Sequence, residues 1–430
     1  MRELVWSRMR PLERENLFAP APGNDAARAA AIEIVDAIRR EGDAAVIEYA
    51  RRLDGFSGAG FRVEPETFEA AASRIADADL EAIKRSIDAV RRFHEKQGFK
   101  PVNIETWPGV QCERRVDPID SCGLYVPAGS APLVSTLIML AVPAQLAGVP
   151  EIVVAVPPGP DGQVNAAVLA AAKLLGIESV FAIGGAQAIA ALAFGAAGLP
   201  KVAKIFGPGN AWVAAAKAYV ATLPGGPAID LPAGPSEVMV IADETANPAF
   251  VVADLLAQAE HDPMARVSLV SIGANVGEIR REIDHQLAGL PRSRIAKPAI
   301  NAGVIIEAGD CGEAIEIANL ACPEHLIIQT TNPRDIGNAV QTAGAIFLGP
   351  WTPESMGDYA AGPNHTLPTG GAGRAWSGVT VEAFQRTTTL VEASPSGART
   401  IAPTVEALAA LEGLDGHAAA MRLRREAENG

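Results

Sequence analysis

Cysteine is scarce in this chain. Only Cys112, Cys122, Cys311 and Cys322 occur among 430 residues, and no two are spaced as CxxC. That excludes a disulfide framework and a cysteine zinc motif, and it points to reduced thiols in a cytoplasmic setting. Aromatic residues make up only 5%, so the core must be built from aliphatic side chains. Positive charge is also short: the formal net charge is −14. Such a balance argues against nucleic acid and against an anionic membrane surface as partners, and suits a cationic substrate. The opening segment MRELVWSRMRPLEREN mixes both signs of charge and has no apolar stretch, unlike a signal peptide. The longest apolar run, Leu133 to Val149, is broken by Ser135, Thr136, Pro143 and Gln145 and is too short to span a bilayer. The GxGxxG dinucleotide fingerprint is absent as well: GGAQAI (Gly184 to Ile189) and GPGNAW (Gly207 to Trp212) both fail it.

What is present is length and apolar content. With 49% hydrophobic residues the chain can bury a large core and should hold two or three domains. Residues 24–53 read as two amphipathic helices punctuated by Gly42, and residues 79–97 as another. The first hundred residues therefore read as a helical arm. From about 120, short β-branched runs alternate with Ala-rich helical stretches, and the alternation restarts beyond the Pro/Gly-rich link Pro224 to Pro235. This rhythm predicts two α/β domains, 101–235 and 236–372, each with a mostly parallel sheet flanked by helices. Residues 373–430 form a tail that starts glycine-rich and ends in a helix, Val405 to Glu428.

Four of the six histidines sit in short blocks beside carboxylates: QAEHDP with His261, CPEHL with His325, ESMGDYAAGPNH with His365 and EGLDGH with His417. Histidine is the usual metal ligand and titrates near neutral pH, so the blocks offer both metal and acid–base chemistry. Gln258 and His261 are three apart at the end of a predicted helix and share one face. They suit a metal, or equally a capping amide beside a locally bonded imidazole. Asp358 and His417 would complete a four-ligand N/O set with them, a closed shell more typical of a structural zinc than of a hydrolytic one. Glu324 and His325 open a predicted strand, where they serve as an acid–base pair or as a solvated Glu beside a surface His. Gly207-Pro208-Gly209-Asn210 follows a strand and opens a helix, so its free N–H groups face either an anion or merely a tight turn.

Taken in order, eight motifs resemble the histidinol dehydrogenase family. They are GLYVPAGSAP, GGAQAIAALAFG, KIFGPGN, DLPAGPSEVMVIAD, QAEH, PEHLIIQT, ESMGDYAAGPNHTLPT and EGLDGH, spread from about residue 30 to 425. The resemblance implies an aldehyde-dehydrogenase-like α/β fold and a zinc-containing, NAD-dependent homodimer. It implies oxidation of L-histidinol to L-histidine through a bound aldehyde, in two hydride transfers. It makes Gln258, His261, Asp358 and His417 the zinc ligands and Glu324 with His325 the acid–base pair. Ser236, His365 and Glu412 would contact substrate, together with His325 and the ligand residues. Tyr125, Gln187 and Asn210 would contact NAD, and the second subunit would complete each site. Two departures, Ala128 in Pro127-Ala128-Gly129 and Ala196 after Gly195, replace the family's usual Gly and Thr and bear on NAD affinity. The other readings are a dehydrogenase of a different small alcohol such as a sulfonated diol, a zinc hydrolase, and a non-catalytic zinc-stabilised dimer. Glu324, Asp358 and Glu412 favour a cationic substrate over a sulfonate.

Overall fold

The structure is a computed structural model that describes residues 1–19, 24–58, 60–128, 132–232 and 234–427. Gly129 and Glu428, which figure in the sequence reading, lie outside the described residues. In chain order the first strands are β1 (Arg2–Val5), β2 (Val102–Trp107), β3 (Val110–Pro118), β4 (Ser121–Tyr125), β5 (Glu151–Val156), β6 (Val180–Ala182) and β7 (Lys204–Phe206). They are followed by β8 (Ala228–Ile229), β9 (Glu237–Asp243), β10 (Arg266–Ile272), β11 (Val304–Glu307), β12 (His325–Gln329), β13 (Ala345–Leu348) and β14 (Gln385–Ala393).

Two sheets are parallel throughout, as the alternation of strand and helix predicted. One has the order β6-β5-β4-β7-β8 and the other β1-β11-β10-β9-β12-β13. Their central strands are covered on both faces, so β4, β9 and β12 are buried at every position and read as continuous apolar runs rather than alternating ones. β1, which joins the edge of the second sheet, was not among the expected strands.

The apolar run at Leu133 is a core helix, Val134–Ala147, buried along nearly its whole length. Eleven of its fourteen side chains are buried, and each large aliphatic one contributes about 1.5–3 kcal/mol of hydrophobic stabilisation. No helix among the described residues is long and apolar enough to cross a membrane. Pro143 inside it lacks an N–H, which frees the carbonyl of Met139 from its usual i+4 donor. The side chain of Asn364 supplies the missing donor, Nδ2 to Met139 O at 2.6 Å. The helices of the first hundred residues pack on the first sheet's layer. Asp25–Glu41 lies against Gly185–Phe194 and Ala211–Thr222, Pro65–Ala72 against Ala166–Leu174, and Asp77–His94 against Val134–Ala147.

The tail corrects the sequence reading. In place of one helix from 405 it holds β14, a helix Pro395–Leu411 and a second helix Asp415–Glu426. Gly413 between them has φ +72°, a left-handed conformation that ends the first helix. β14 pairs antiparallel with β3, and β3 with β2, in a small sheet whose β2 is exposed at all six positions.

Candidate active site

Both parallel sheets reverse their strand order once, and those reversals organise the site. In the first sheet the chain builds outward from β4 to β5 and β6, then returns to place β7 and β8 on the other side. A crevice therefore opens at the carboxyl ends of β4 and β7, the usual ligand position in open α/β sheets. Tyr125 ends β4, and Gly207-Pro208-Gly209-Asn210 follows β7. Gly207 sits at φ +115°, and a Cβ there would lie 2.1 Å from the Tyr125 carbonyl oxygen, so only glycine fits. Beneath this turn lies a closed ion pair. Lys217 Nζ donates to Asp230 Oδ1 at 2.5 Å and to Gly207 O at 2.6 Å. Asp230 Oδ2 accepts from Gly207 N at 2.7 Å, and Oδ1 also accepts from Leu231 N at 2.7 Å. Every charge in this region has its partner.

The expected cofactor residues share this crevice. Gly185 N donates to the Tyr125 hydroxyl at 3.2 Å, and Gln187 Nε2 donates to Asp54 Oδ2 at 2.8 Å. Burial raises both ionisable partners, the Asp54 carboxyl and the Tyr125 phenol, the latter to about 12. Asn210 is exposed and caps its own helix, accepting from Trp212 N and Val213 N. Ala196 is buried just beyond the far end of the helix Gly185–Phe194 from Gly185 and Gln187, while Ala128 is half-buried against a separate core cluster.

The second sheet repeats the same order about β9, with β12 as the returning strand, yet its carboxyl ends are sealed. Asp243 at the end of β9 accepts from Thr331 N and Oγ1 at 2.7 and 2.9 Å, and from Thr245 N and Oγ1 at 2.9 and 2.5 Å. The chemistry-bearing residues collect instead at the amino ends of β9 and β12. The helix Cys311–Ala321 ends at Cys322, whose φ of +49° is unusual for a non-glycine residue, and Pro323 then launches Glu324 and His325 into β12. Glu324 Oε2 accepts from the Glu237 backbone N–H at 2.9 Å, tying the two strand starts together.

His325 is the centre of this cluster. Its Nδ1 lies 3.3 Å from Glu237 O, 3.6 Å from Glu354 Oε1 and 3.7 Å from Glu324 Oε2, while Nε2 lies 3.8 Å from Asp358 Oδ1. Nε2 is buried and has no hydrogen-bond partner. Gln258, on the last turn of Pro248–Ala259, sits 3.1 Å from His325 Nδ1. In the orientation that satisfies its neighbours, its amide nitrogen donates to Glu354 Oε1 at 3.0 Å and to Glu237 O at 3.2 Å. His261, three residues on, is exposed yet close enough for its charge to act on both His325 and His365.

Glu354 and Asp358 are one turn apart on the helix Glu354–Tyr359, and the loop beyond carries His365. His365 Nδ1 lies 3.1 Å from Asp358 O, and its Nε2 pairs with Thr136 Oγ1 of the core helix at 3.3 Å. The Asn364–Met139 bond noted above clamps the same loop. A cavity of about 100 Å³ joins the two halves, reaching from Gly207 and Lys217 to Ser236, Glu324, His365 and Thr369.

The electrostatics follow from burial with little compensating positive charge. Burial drives Glu324 and Glu354 well above the usual carboxylate range, lifts Asp358 to about 7 and Asp254 to about 6, and pushes His325 down to about 3 and His365 to about 4. Glu237 pairs with an arginine, Arg266, at 3.4 Å. An arrangement of buried carboxylates, an unpartnered imidazole nitrogen and an amide oxygen suits a bound cation. His325, Glu354 and Asp358 offer donor atoms within 4.8 Å of one another. Of the four ligands that the family resemblance implies, Gln258 and Asp358 lie in the cluster and His261 at its edge. His417 lies apart on the exposed tail, as does Glu412.

Glu354, Glu237, Asp254 and the Lys217–Asp230 pair join the expected residues in the structure. Glu354 could have been found, since it precedes Asp358 by one helical turn in the same motif; the others carry no local signal.

The family model described as "Histidinol dehydrogenase" matches residues 20–425. Histidinol dehydrogenase of Salmonella typhimurium is 44% identical over 422 residues, which cover 97% of this chain and 96% of that protein. The enzyme of the same name from Vibrio cholerae is 43% identical over 429 residues, 99% of both chains. The crystal structure of histidinol dehydrogenase from Elizabethkingia anophelis has a TM-score of 0.93 at 39% identity, covering 99% of this chain and 98% of that one.

Proposed function

This chain belongs to the histidinol dehydrogenase family and is an oxidoreductase of histidine biosynthesis, and on that premise we propose how its residues divide the work. The substrate is L-histidinol, a cation, and the product L-histidine, reached through the aldehyde. NAD, bound at the β4–β7 crevice beside Tyr125, Gln187 and Asn210, would supply the hydride acceptor, and a zinc ion held by Gln258, His261, Asp358 and His417 would fix the alcohol oxygen and amine. The observation that carries this reading is the cavity itself, which brings the Gly207 turn of one sheet against Glu324, His365 and Ser236 of the other.

His325 is the base for the alcohol. In the base-competent tautomer Nδ1–H faces Glu237 O at 3.3 Å, and Nε2, buried and without a partner, takes the hydroxyl proton as hydride leaves the carbinol carbon. Glu324 then accepts a proton from the water that adds to the aldehyde carbon, and the tetrahedral adduct gives up a second hydride and the proton of its remaining hydroxyl, the latter to the acid–base pair, leaving the carboxylate. Ser236 and His365 both line the cavity and orient the imidazole and amine.

The site is shared between two copies. His417 and Glu412 sit on a helical pair whose packing is chiefly internal, and the pair exposes Leu411 at 83% and Leu423 at 70%. Around the cluster Trp351, Met264 and Tyr359 are exposed as well. Covering the tail of one copy with the cluster face of another would bury both apolar sets and bring the fourth ligand in, as an isologous dimer permits. We assign residues 101–235 to the NAD-binding domain, 236–372 to the zinc and catalytic domain and 373–430 to the dimer arm, in a cytoplasmic enzyme. The test is NADH absorbance on mixing the protein with NAD and L-histidinol. Two NADH per histidinol consumed supports the reading. No NADH with histidinol, but turnover of another alcohol, would overturn the substrate.

A further inference from the structure

Glu354 belongs neither to the acid–base pair nor to the expected ligand set, yet it is the most deeply buried carboxylate of the cluster, 1% exposed. It is the first residue of the helix Glu354–Tyr359, one turn before Asp358. Its Oε1 lies 3.0 Å from the Gln258 amide nitrogen, and its Oε2 is buried without a hydrogen-bond partner. A buried, incompletely satisfied carboxylate costs free energy in the metal-free chain and persists where a function uses it.

The Gln258 amide shows that use. An amide offers a cation only its oxygen, and a free amide can turn either end toward the metal. Glu354 Oε1 and the Glu237 carbonyl, at 3.0 and 3.2 Å, take up the two amide hydrogens, and the third neighbour of that nitrogen, His325 Nδ1 at 3.1 Å, then keeps its own hydrogen toward Glu237 O in the base-competent tautomer. They leave Gln258 Oε1 as the end free for a ligand. The Glu237 carbonyl can only accept, so it rejects the reverse orientation of the amide. Gln258 is itself 1% exposed, so water cannot substitute for either partner.

We propose that Glu354 is the positioning residue of the metal centre, holding the Gln258 amide by its nitrogen so that its oxygen faces a divalent cation. This rests on the reading that Gln258, His261 and Asp358 hold that cation. Outer partners of this kind typically change metal affinity by about 10–100-fold when removed.

The test measures zinc affinity by competition with a chromophoric chelator, together with the melting temperature of the metal-free protein. Glu354→Ala should weaken zinc binding by about 10–100-fold. Glu354→Gln keeps an acceptor oxygen and should weaken it less. Metal-free Glu354→Gln should melt no lower than metal-free wild type, because it removes an unsatisfied buried carboxylate. A residue with only a structural role would lower that melting temperature and leave zinc affinity alone, which would overturn the proposal. Cobalt placed in the Glu354→Gln centre should keep the wild-type visible spectrum; a changed spectrum would make Glu354 a ligand and also overturn it. His261→Asn serves as the control on the underlying reading. If Glu354→Ala binds zinc normally while His261→Asn does not, the positioning role fails and the metal site stands. If His261→Asn also keeps full affinity, the metal site itself is misplaced.

Discussion

The two parallel sheets share one strand order and use opposite ends of it. Around β4 the ligand crevice lies at the carboxyl ends, where open α/β sheets usually bind. Around β9 that end is closed by Asp243 with its two threonines, and the reactive residues gather at the amino ends instead. The two ends in use face one another across the cavity between Gly207 and Glu324. The charge arrangement differs as sharply. The first crevice rests on Lys217 and Asp230, which satisfy each other and the Gly207 peptide. The second gathers Glu324, Glu354 and Asp358 around His325 and His365. A duplicated topology thus yields one self-contained region that holds a shape and one region whose buried charge calls for a cation from outside.

Substitutions at the two ends should separate these characters. The largest effect belongs to the second: His325→Asn should lower kcat by about 10²–10⁴-fold, the range for a lost general base. NADH binding, followed by its fluorescence, should be unchanged; loss of cofactor affinity would mean that His325 shapes the crevice rather than the chemistry. In the first region the damage should fall on stability. Lys217→Met leaves Asp230 buried and uncompensated and should cost about 3–5 kcal/mol in denaturant unfolding. The double variant Lys217→Met, Asp230→Asn should recover part of it, and failure to recover any would deny that the pair acts as a unit.

Within the cluster, Glu324→Gln should slow histidinaldehyde oxidation by about 10²-fold and largely spare the first half-reaction. Equal losses in both steps would contradict the separate roles of Glu324 and His325. The smallest effect concerns the sealed end. Burial raises the Asp243 carboxyl, but hydrogen bonds from Thr245 and Thr331 outweigh it and hold the group below the usual carboxylate range. Its folded value is therefore below its unfolded one. The stabilisation is complete above the ordinary carboxylate pKa and fades as pH falls through the folded value. Asp243→Asn should cost about 1.5–3 kcal/mol at neutral pH and progressively less in acid. A pH-independent cost would show that the bonds do not depend on the charge.

Much of the fold was legible because its signals are local. Strands such as β5, β9 and β12 are buried on both faces and stand out as apolar runs between Ala-rich helices. The small sheet was not legible, since β2 and β14 are largely exposed and carry no apolar rhythm, and β14 pairs with β3 across a long sequence separation, Gln385 with Pro118 and Ala393 with Val110. Gly413 was visible, but its left-handed turn, which splits the tail into two helices, depends on packing between them. At the site, the short motifs marked Gln258, His325, Asp358 and His365, which the fold brings together. No motif states that β9 works at its amino end, or that Glu354 lies behind Gln258, because both follow from how the sheets face each other. His417 and Glu412 read as site residues and stand apart in the single chain, and on the proposed reading a second copy supplies them.

The central claim is that this second copy completes the cation site, and complementation tests it most directly. His261→Ala and Glu412→Ala, each inactive alone, are unfolded together and refolded as a mixture, and histidinol-dependent NADH formation is measured. The account predicts heterodimers with one intact site, built from Gln258 and His261 of one chain and Glu412 of the other, with activity per heterodimer approaching half that of wild type. Activity no higher than that of the two parent proteins would show that each site is assembled within a single chain.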